Sequence, residues 1–290
     1  MIKRFQIGDF KFELNMSEGI VPPANFMLFE KEDIVPEYTY HIRLGAEFPK
    51  ISGIRKAFRE DLLVYEDEGL ESRMIGVKGT PGYYACYREL SAIEADVCLD
   101  PERLKSLNID PVFTSLLALE RRQLLKEAFV LHCAFVEYKG EAILFSAPSE
   151  TGKTTQANLW EKYNGASTVN GDRALIQQID DKWIARGWPV CGSSEVCHHK
   201  DVPIRAIVML SQGKSDQVEK LSPMKAFTQV YSQVTINRWN VKSNTHGMDL
   251  IEAMITRIPV WHLSCTISEN AVRVLENVLY PMEEKINESC

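Results

Sequence analysis

A chain of 290 residues with 45% apolar and 25% charged residues can bury a full core, as one large domain or two smaller ones. Its formal charge of −7, with no basic stripe to offset it, argues against a nucleic-acid surface, and no apolar run is long enough to span a membrane. Seven cysteines without a framework spacing, and no signal-peptide pattern over Met1-Ile2-Lys3-Arg4-Phe5, read as reduced thiols in a cytoplasmic protein.

From Phe5 to about Leu99 the sequence runs in short alternating stretches separated by polar turns. Phe10–Leu14, Tyr38–Leu44, Leu62–Tyr65 and Tyr83–Tyr87 each place apolar residues at every second position, the pattern of half-buried antiparallel strands. Residues 1–108 are therefore expected to form a β-rich module, and residues 109–290 a second domain. Pro111 to Ala128, with Phe113, Leu116, Leu117, Leu119, Leu124 and Leu125, predicts one amphipathic helix opening that second part.

Leu131–Tyr138 reads as a strand, Lys139-Gly140 as a two-residue turn, and Ala142–Phe145 as a second strand, so the two should pair as a hairpin. The second strand runs into Ala147-Pro148-Ser149-Glu150-Thr151-Gly152-Lys153-Thr154, and a helix-like run from Thr155 to Tyr163 follows. A small residue, four free positions and then Gly-Lys-Thr, between strand and helix, is the spacing of a phosphate-binding P-loop. Such a turn aims backbone N–H groups inward at a helix N-terminus, so Ser149, Glu150, Thr151, Gly152, Lys153, Thr154 and Thr155 are the candidate ATP-binding residues. Lys153 reaches the outer phosphates, and the Thr154 hydroxyl is placed for Mg²⁺.

Ser167–Val169 leads into Asn170-Gly171-Asp172, after which a strand is expected from Arg173 through Ile176 towards Lys182-Trp183-Ile184, leaving Asp172 at a turn between strands. The Asn-Gly pair suggests positive φ at Gly171. Cys191 to His199 is the one cluster of cysteine and histidine; it lacks the second half of a zinc site and reads better as a loop lining the active site, with Glu195 a candidate second acid. Further on, Ile204–Leu210 and Val260–Thr266 read as strands, while Ser222–Gln233, Asp249–Arg257 and Ser268–Leu279 read as helices, the last capped by Ser268. His262 reads as a core residue. His132, just upstream of the loop, is either a core histidine or a metal, phosphate or proton-transfer group.

The order of Leu131-His132-Cys133-Ala134, Glu150-Thr151-Gly152-Lys153-Thr154-Thr155 and Asn170-Gly171-Asp172 resembles the HPr kinase/phosphorylase and phosphoenolpyruvate carboxykinase superfamily, and more narrowly the HPr-kinase-like proteins encoded beside ribosomally made peptides. The resemblance covers roughly residues 129–188. It implies an α/β (α+β) fold with a PEP carboxykinase/HPr kinase-like P-loop core behind the β-rich N-terminal module. It also implies an ATP-dependent, Mg²⁺-dependent kinase acting on a hydroxyl, serine above all, of a peptide or small protein. Lys153 and Asp172 would be catalytic, Thr154 and Asp172 would hold the metal, and His132 or Glu195 would take the hydroxyl proton. Arg173, Arg186 and Arg205 are the cationic candidates among which the sequence does not choose. Relatives carry two adjacent acids at the turn; here Gly171 stands in place of the first. A serine-like metabolite kinase and a catalytically weak nucleotide sensor therefore stay open, as does assembly into a homo-oligomer.

Overall fold

The computed structural model describes residues 1–281 as a mixed α/β protein built on two sheets. The first sheet has eight strands, β1 (Ile2–Ile7), β2 (Phe10–Met16), β3 (Tyr38–Leu44), β4 (Ile54–Arg59), β5 (Leu62–Asp67), β6 (Leu70–Gly76), β7 (Tyr83–Ser91) and β8 (Glu94–Leu99), in the order β1-β2-β3-β8-β7-β6-β5-β4. The four runs expected from alternation are all strands. Two pairings, β2 with β3 and β3 with β8, are parallel, so the sheet is mixed where antiparallel pairing was expected.

The alternating aromatic residues of β1 and β2 decide where this sheet packs. Phe5 and Phe12 are fully buried against Phe26 of the short helix α1 (Ala24–Met27), which in turn meets Phe113, and Tyr40 of β3 packs edge-on to Phe12. Burying one such ring contributes about 1.5–3 kcal/mol. This core does not stop at the first sheet; it takes in Ala128, Val130, Leu175, Trp188, Val190, Cys191 and Cys197 from the other half of the chain.

The helix expected over Pro111–Ala128 is broken. A 3₁₀ stretch at Pro101–Asn108 leads to α2 (Asp110–Ser115) and α3 (Leu119–Leu124), separated at Ala118, whose φ is 47°. Leu116, Leu117, Ala118 and Leu119 are all buried. Four consecutive buried residues cannot lie on one stripe of a surface helix, so the chain turns there, with Tyr40 donating a 2.8 Å hydrogen bond to the freed Leu117 carbonyl.

The second sheet comprises β9 (Ala128–Tyr138), β10 (Glu141–Ser146), β11 (Ser167–Asn170), β12 (Arg173–Ile179), β13 (Lys182–Arg186), β14 (Asp201–Gln212), β15 (Gln217–Lys220), β16 (Val234–Thr235) and β17 (Val260–Cys265). Asp180 and Asp181, both at positive φ, turn the chain back, so the expected single strand through Lys182–Ile184 is a hairpin of β12 and β13. The two longest strands change partners along their length. β9 pairs with β12 over Ala128–His132 and with β10 over Cys133–Tyr138; β14 pairs with β13 through Pro203 and with β10 beyond it. The β9–β10 hairpin expected from Lys139-Gly140 is present, while β10 runs parallel to β14 on its other flank.

Helices α4 (Lys153–Asn164) and α7 (Glu269–Leu279) cover one face of this sheet, and α5 (Pro223–Ser232) and α6 (Val241–Arg257) the other. Ser268 caps α7 as expected, its Oγ accepting from Ala271 N. α6 begins eight residues before the expected Asp249, because Asn240 caps it by accepting a 3.0 Å bond from Ser243 N. Low-propensity residues in its first turns hid that start. Among the described residues no helix is long and apolar enough to cross a membrane.

Candidate functional site

Residues of one face of β9 pass from one core to another. Ala128 and Val130 belong to the core under the first sheet, and Ala134 and Val136 to the core under α4 and α7. His132 occupies the position between them, where β9 also changes partner from β12 to β10. The parting strands leave backbone groups for the neighbouring turn: Cys133 N donates to Asp172 O at 2.9 Å, and Ser146 Oγ donates to His132 O at 2.8 Å. A polar residue in an otherwise apolar alternation thus marks a gap in the packing.

Into that gap comes the turn between β11 and β12. Asn170 is fully buried and its Oδ1 accepts from the backbone N–H of both Asp172 and Arg173 at 2.9 Å, while its Nδ2 donates to Trp188 O. This Asx-type turn fixes the Asp172 carboxylate. Oδ1 lies 3.2 Å from His132 Nε2, and Oδ2 accepts a 3.0 Å bond from Arg173 Nε. Burial works against the carboxylate, but the His132 hydrogen bond and the Arg173 guanidinium outweigh it and hold Asp172 below its ordinary value. The His132 ring is oriented from behind, its Nδ1 3.4 Å from Gln233 Oε1 and its backbone N–H bonded to Gln233 O. His132 is therefore no plain core residue. Gln233 was not singled out from the sequence, since only the pairing of β16 with β9 brings it here.

The Ala147–Thr154 loop joins β10 to α4, in the strand-to-helix setting its spacing calls for. Gly152 sits at φ 117°, a conformation that strains any side chain, and Glu150 at φ 65° makes the other left-handed step. Ser149, Glu150 and Thr154 are exposed, and Thr151 and Thr155 half-buried. Lys153 is 7% exposed and donates to the Ala147 and Pro148 carbonyls at 3.1 and 3.3 Å. Burial lowers its pKa, and the Asp172 charge partly restores it, so the ammonium and the carboxylate share one electrostatic neighbourhood. An ammonium so placed has, among the described residues, only neutral carbonyls for hydrogen-bond partners.

The Cys191–His199 segment packs over the turn. Gly171 N donates to Val196 O, His198 N to Val169 O, and Asn170 bridges to Cys197. Gly171 is not at positive φ, contrary to the Asn-Gly expectation. Its reason is proximity: an ideal Cβ there would overlap Cβ and Oγ of Ser194 outright. The 3₁₀ turn Gly192–Ser194 thus fills the space where an acidic side chain at 171 would begin. Glu195 is exposed at the end of that turn, with φ 57°, and the group facing Asp172 is His132. His199 turns away, its ring tilted against Phe29 and its Nδ1 3.1 Å from Leu28 O.

Of the three arginines, only Arg173 belongs here. Arg186 is tied to Asp9 and Asp201, and Arg205 donates to the Leu279 carbonyl. His262 is 27% exposed, not core, and its Nε2 lies 2.9 Å from Ser211 Oγ at the far end of β17. Among the described residues no three His, Cys, Asp or Glu side chains converge as a metal cage. One carboxylate and one hydroxyl still suit Mg²⁺, which keeps several waters and takes substrate phosphate oxygens. Asp172 is held ionised and has lone pairs beyond the two in use.

Arg173 also lines a cavity of about 680 Å³ between the two sheets. Its walls come from β5 and β6, from Thr114 and Ser115 on α2, from Val130, and from Val234 to Trp239. A buried ion network stiffens the wall: Arg73 binds Glu71 and, at 2.7 Å, Glu120, while Trp239 Nε1 donates to Glu71 at 3.1 Å. No single stretch of sequence announces this cavity.

Residues 97–280, well over half of the chain, match the family model described as ScmC: SynChlorMet cassette protein ScmC. No curated protein matches. Among solved structures, the HPr(Ser) kinase/phosphatase from Coxiella burnetii superposes with a TM-score of 0.31 at 12% identity, over 51% of this chain and 93% of that one, a likeness too slight to carry an argument.

Proposed function

Given that the chain belongs to the ScmC family of SynChlorMet cassette proteins, we propose that it is an ATP-dependent kinase transferring a phosphoryl group to a hydroxyl, serine above all, of a peptide or small protein. The family description names a cassette and no reaction, so the site's own chemistry supports the activity. The observation that carries it is the His132–Asp172–Arg173 cluster, set near enough to the Lys153 loop for the Asp172 charge to act on the ammonium.

Lys153, leaving its carbonyl partners, neutralises the outer phosphates of ATP, and backbone N–H groups of the loop and the first turn of α4 hold their oxygens. Thr154 and Asp172 are the residues that would hold Mg²⁺, which supplies further neutralisation of phosphate charge when bound. Arg173 is the nearest guanidinium for charge developing on the transferred group. The bond from the acceptor oxygen to the γ-phosphorus forms as the bond to the β,γ-bridging oxygen breaks, and ADP leaves. The hydroxyl proton passes to the Asp172–His132 pair. Most of the catalysis lies in positioning and charge, so one acid oriented by a histidine suffices where relatives of the motif use two.

The test is transfer of label from γ-labelled ATP to serine peptides, with wild type beside Lys153→Ala. Incorporation by wild type and its loss in the variant support the reading; equal incorporation by both removes the loop from the mechanism.

A further inference from the structure

The cavity beside Arg173 has features that the chemistry at Asp172 does not use. Four arginines, Arg59, Arg73, Arg173 and Arg238, line it against two carboxylates, Asp61 and Glu120, in a chain whose overall charge is −7. Arg59 is paired with Asp61, Arg73 with Glu71 and Glu120, and Arg173 with Asp172, which leaves Arg238. Arg238 is exposed, stacks over Tyr231 with 4.7 Å to the ring centroid, and meets no carboxylate among the described residues. Thr114, 9% exposed, also lines this cavity, with its hydroxyl oxygen buried away from the open space. Trp239 and Trp188 add aromatic surface.

Size and position narrow the occupant. A cleft of about 680 Å³ lies in the range that encloses a drug-sized ligand and is far larger than a serine-sized metabolite needs. Arg173 belongs both to the cleft and to the Asp172 cluster, so a chain lying in the cleft delivers a side chain to the reacting end.

We propose that this cleft is the acceptor site and that it takes an extended peptide segment carrying carboxylates beside its hydroxyl residue. The inference rests on the kinase reading for what happens at the hydroxyl, but the binding itself does not. Arg238 recognises a flanking carboxylate. Free serine fills too little of the cleft to compete.

The probes are a synthetic peptide with one serine flanked by aspartates, the same peptide with asparagine at each aspartate, and free serine. Binding without nucleotide is read from Trp fluorescence or from the anisotropy of a labelled peptide; transfer is read separately with ATP. The acidic peptide should bind about tenfold more tightly than its asparagine counterpart, with the gap narrowing as salt is raised. Arg238→Gln should remove most of that gap and raise the KM for the acidic peptide while leaving the KM for ATP unchanged. Equal affinity of the two peptides, no binding of the acidic one at millimolar concentration, preference for free serine, or an Arg238→Gln protein that behaves as wild type overturns the acceptor site. Acidic-peptide binding without transfer by wild type leaves the site standing and removes the kinase reading. Transfer that ignores the cleft variant does the opposite.

Discussion

Gly171→Ala tests the architecture of the site most directly, because the structure gives a cause for the glycine that the sequence does not. An ideal Cβ at 171 collides with both Cβ and Oγ of Ser194, while its next neighbour, Cys191 O, is at a comfortable 3.6 Å. The backbone there is free of positive φ, so the cost is one of space alone. Overpacking of this kind costs about 1–3 kcal/mol, and here it displaces the Gly192–Ser194 turn that lies over Asp172. Ser194→Ala keeps the offending Cβ and should not relieve Gly171→Ala. Ser194→Gly removes it, at the loss of the 2.7 Å bond to Cys191 O, worth about 1 kcal/mol. Urea unfolding of the two single variants and the double Gly171→Ala/Ser194→Gly should therefore show a favourable coupling of about 1–3 kcal/mol. Additive losses, or a Gly171→Ala protein as stable as wild type with Ser194 in place, would refute the argument. The same clash rules out Gly171→Asp as a simple restoration of a second acid: it would distort the turn before its carboxylate could act.

Lys153→Ala should retain the fold and lose about 2–4 kcal/mol of transition-state stabilisation, measured from kcat/KM with ATP. Asp172→Asn should lower kcat far more than ATP affinity; a loss of binding alone would reassign the residue to scaffolding. Because the folded pKa of Asp172 lies below its ordinary 3.8, its contribution to stability is full above that value and fades as pH falls through the folded one, so the stability gap between wild type and Asp172→Asn should close on acidification. Arg73→Ala strands Glu71 and Glu120 without their shared cation and should cost about 3–5 kcal/mol in urea unfolding, whereas an exposed-pair variant such as Arg273→Ala should cost under about 1 kcal/mol. Burial pushes the Cys133 thiol far up, so it should resist iodoacetamide at neutral pH in the folded protein and label only on unfolding, as followed by mass spectrometry.

The sequence by itself determined the local features of this protein. Alternation marked strands at Phe10–Leu14, Tyr38–Leu44 and Tyr83–Tyr87, Lys139-Gly140 marked the hairpin, and the glycine-lysine-threonine spacing marked a turn between a strand and a helix. These depend on steric and hydrogen-bond preferences spanning a few residues, so a short window contains their cause. Where several buried residues fall in succession, as at Leu116–Leu119, a window cannot say which core each faces, and the expected single helix is two. The candidate site was legible only as separate pieces. That His132 meets Asp172 follows from β9 changing partners at that position; that Gly171 is needed follows from Ser194, a loop away. The cleft joins Arg59 and Arg73 of the first sheet to Arg238 beyond β16, residues far apart in sequence whose approach is fixed by a core shared between the two sheets. Non-local packing has no signature in any one segment, and for that reason tertiary structure alone decided which charges surround Asp172.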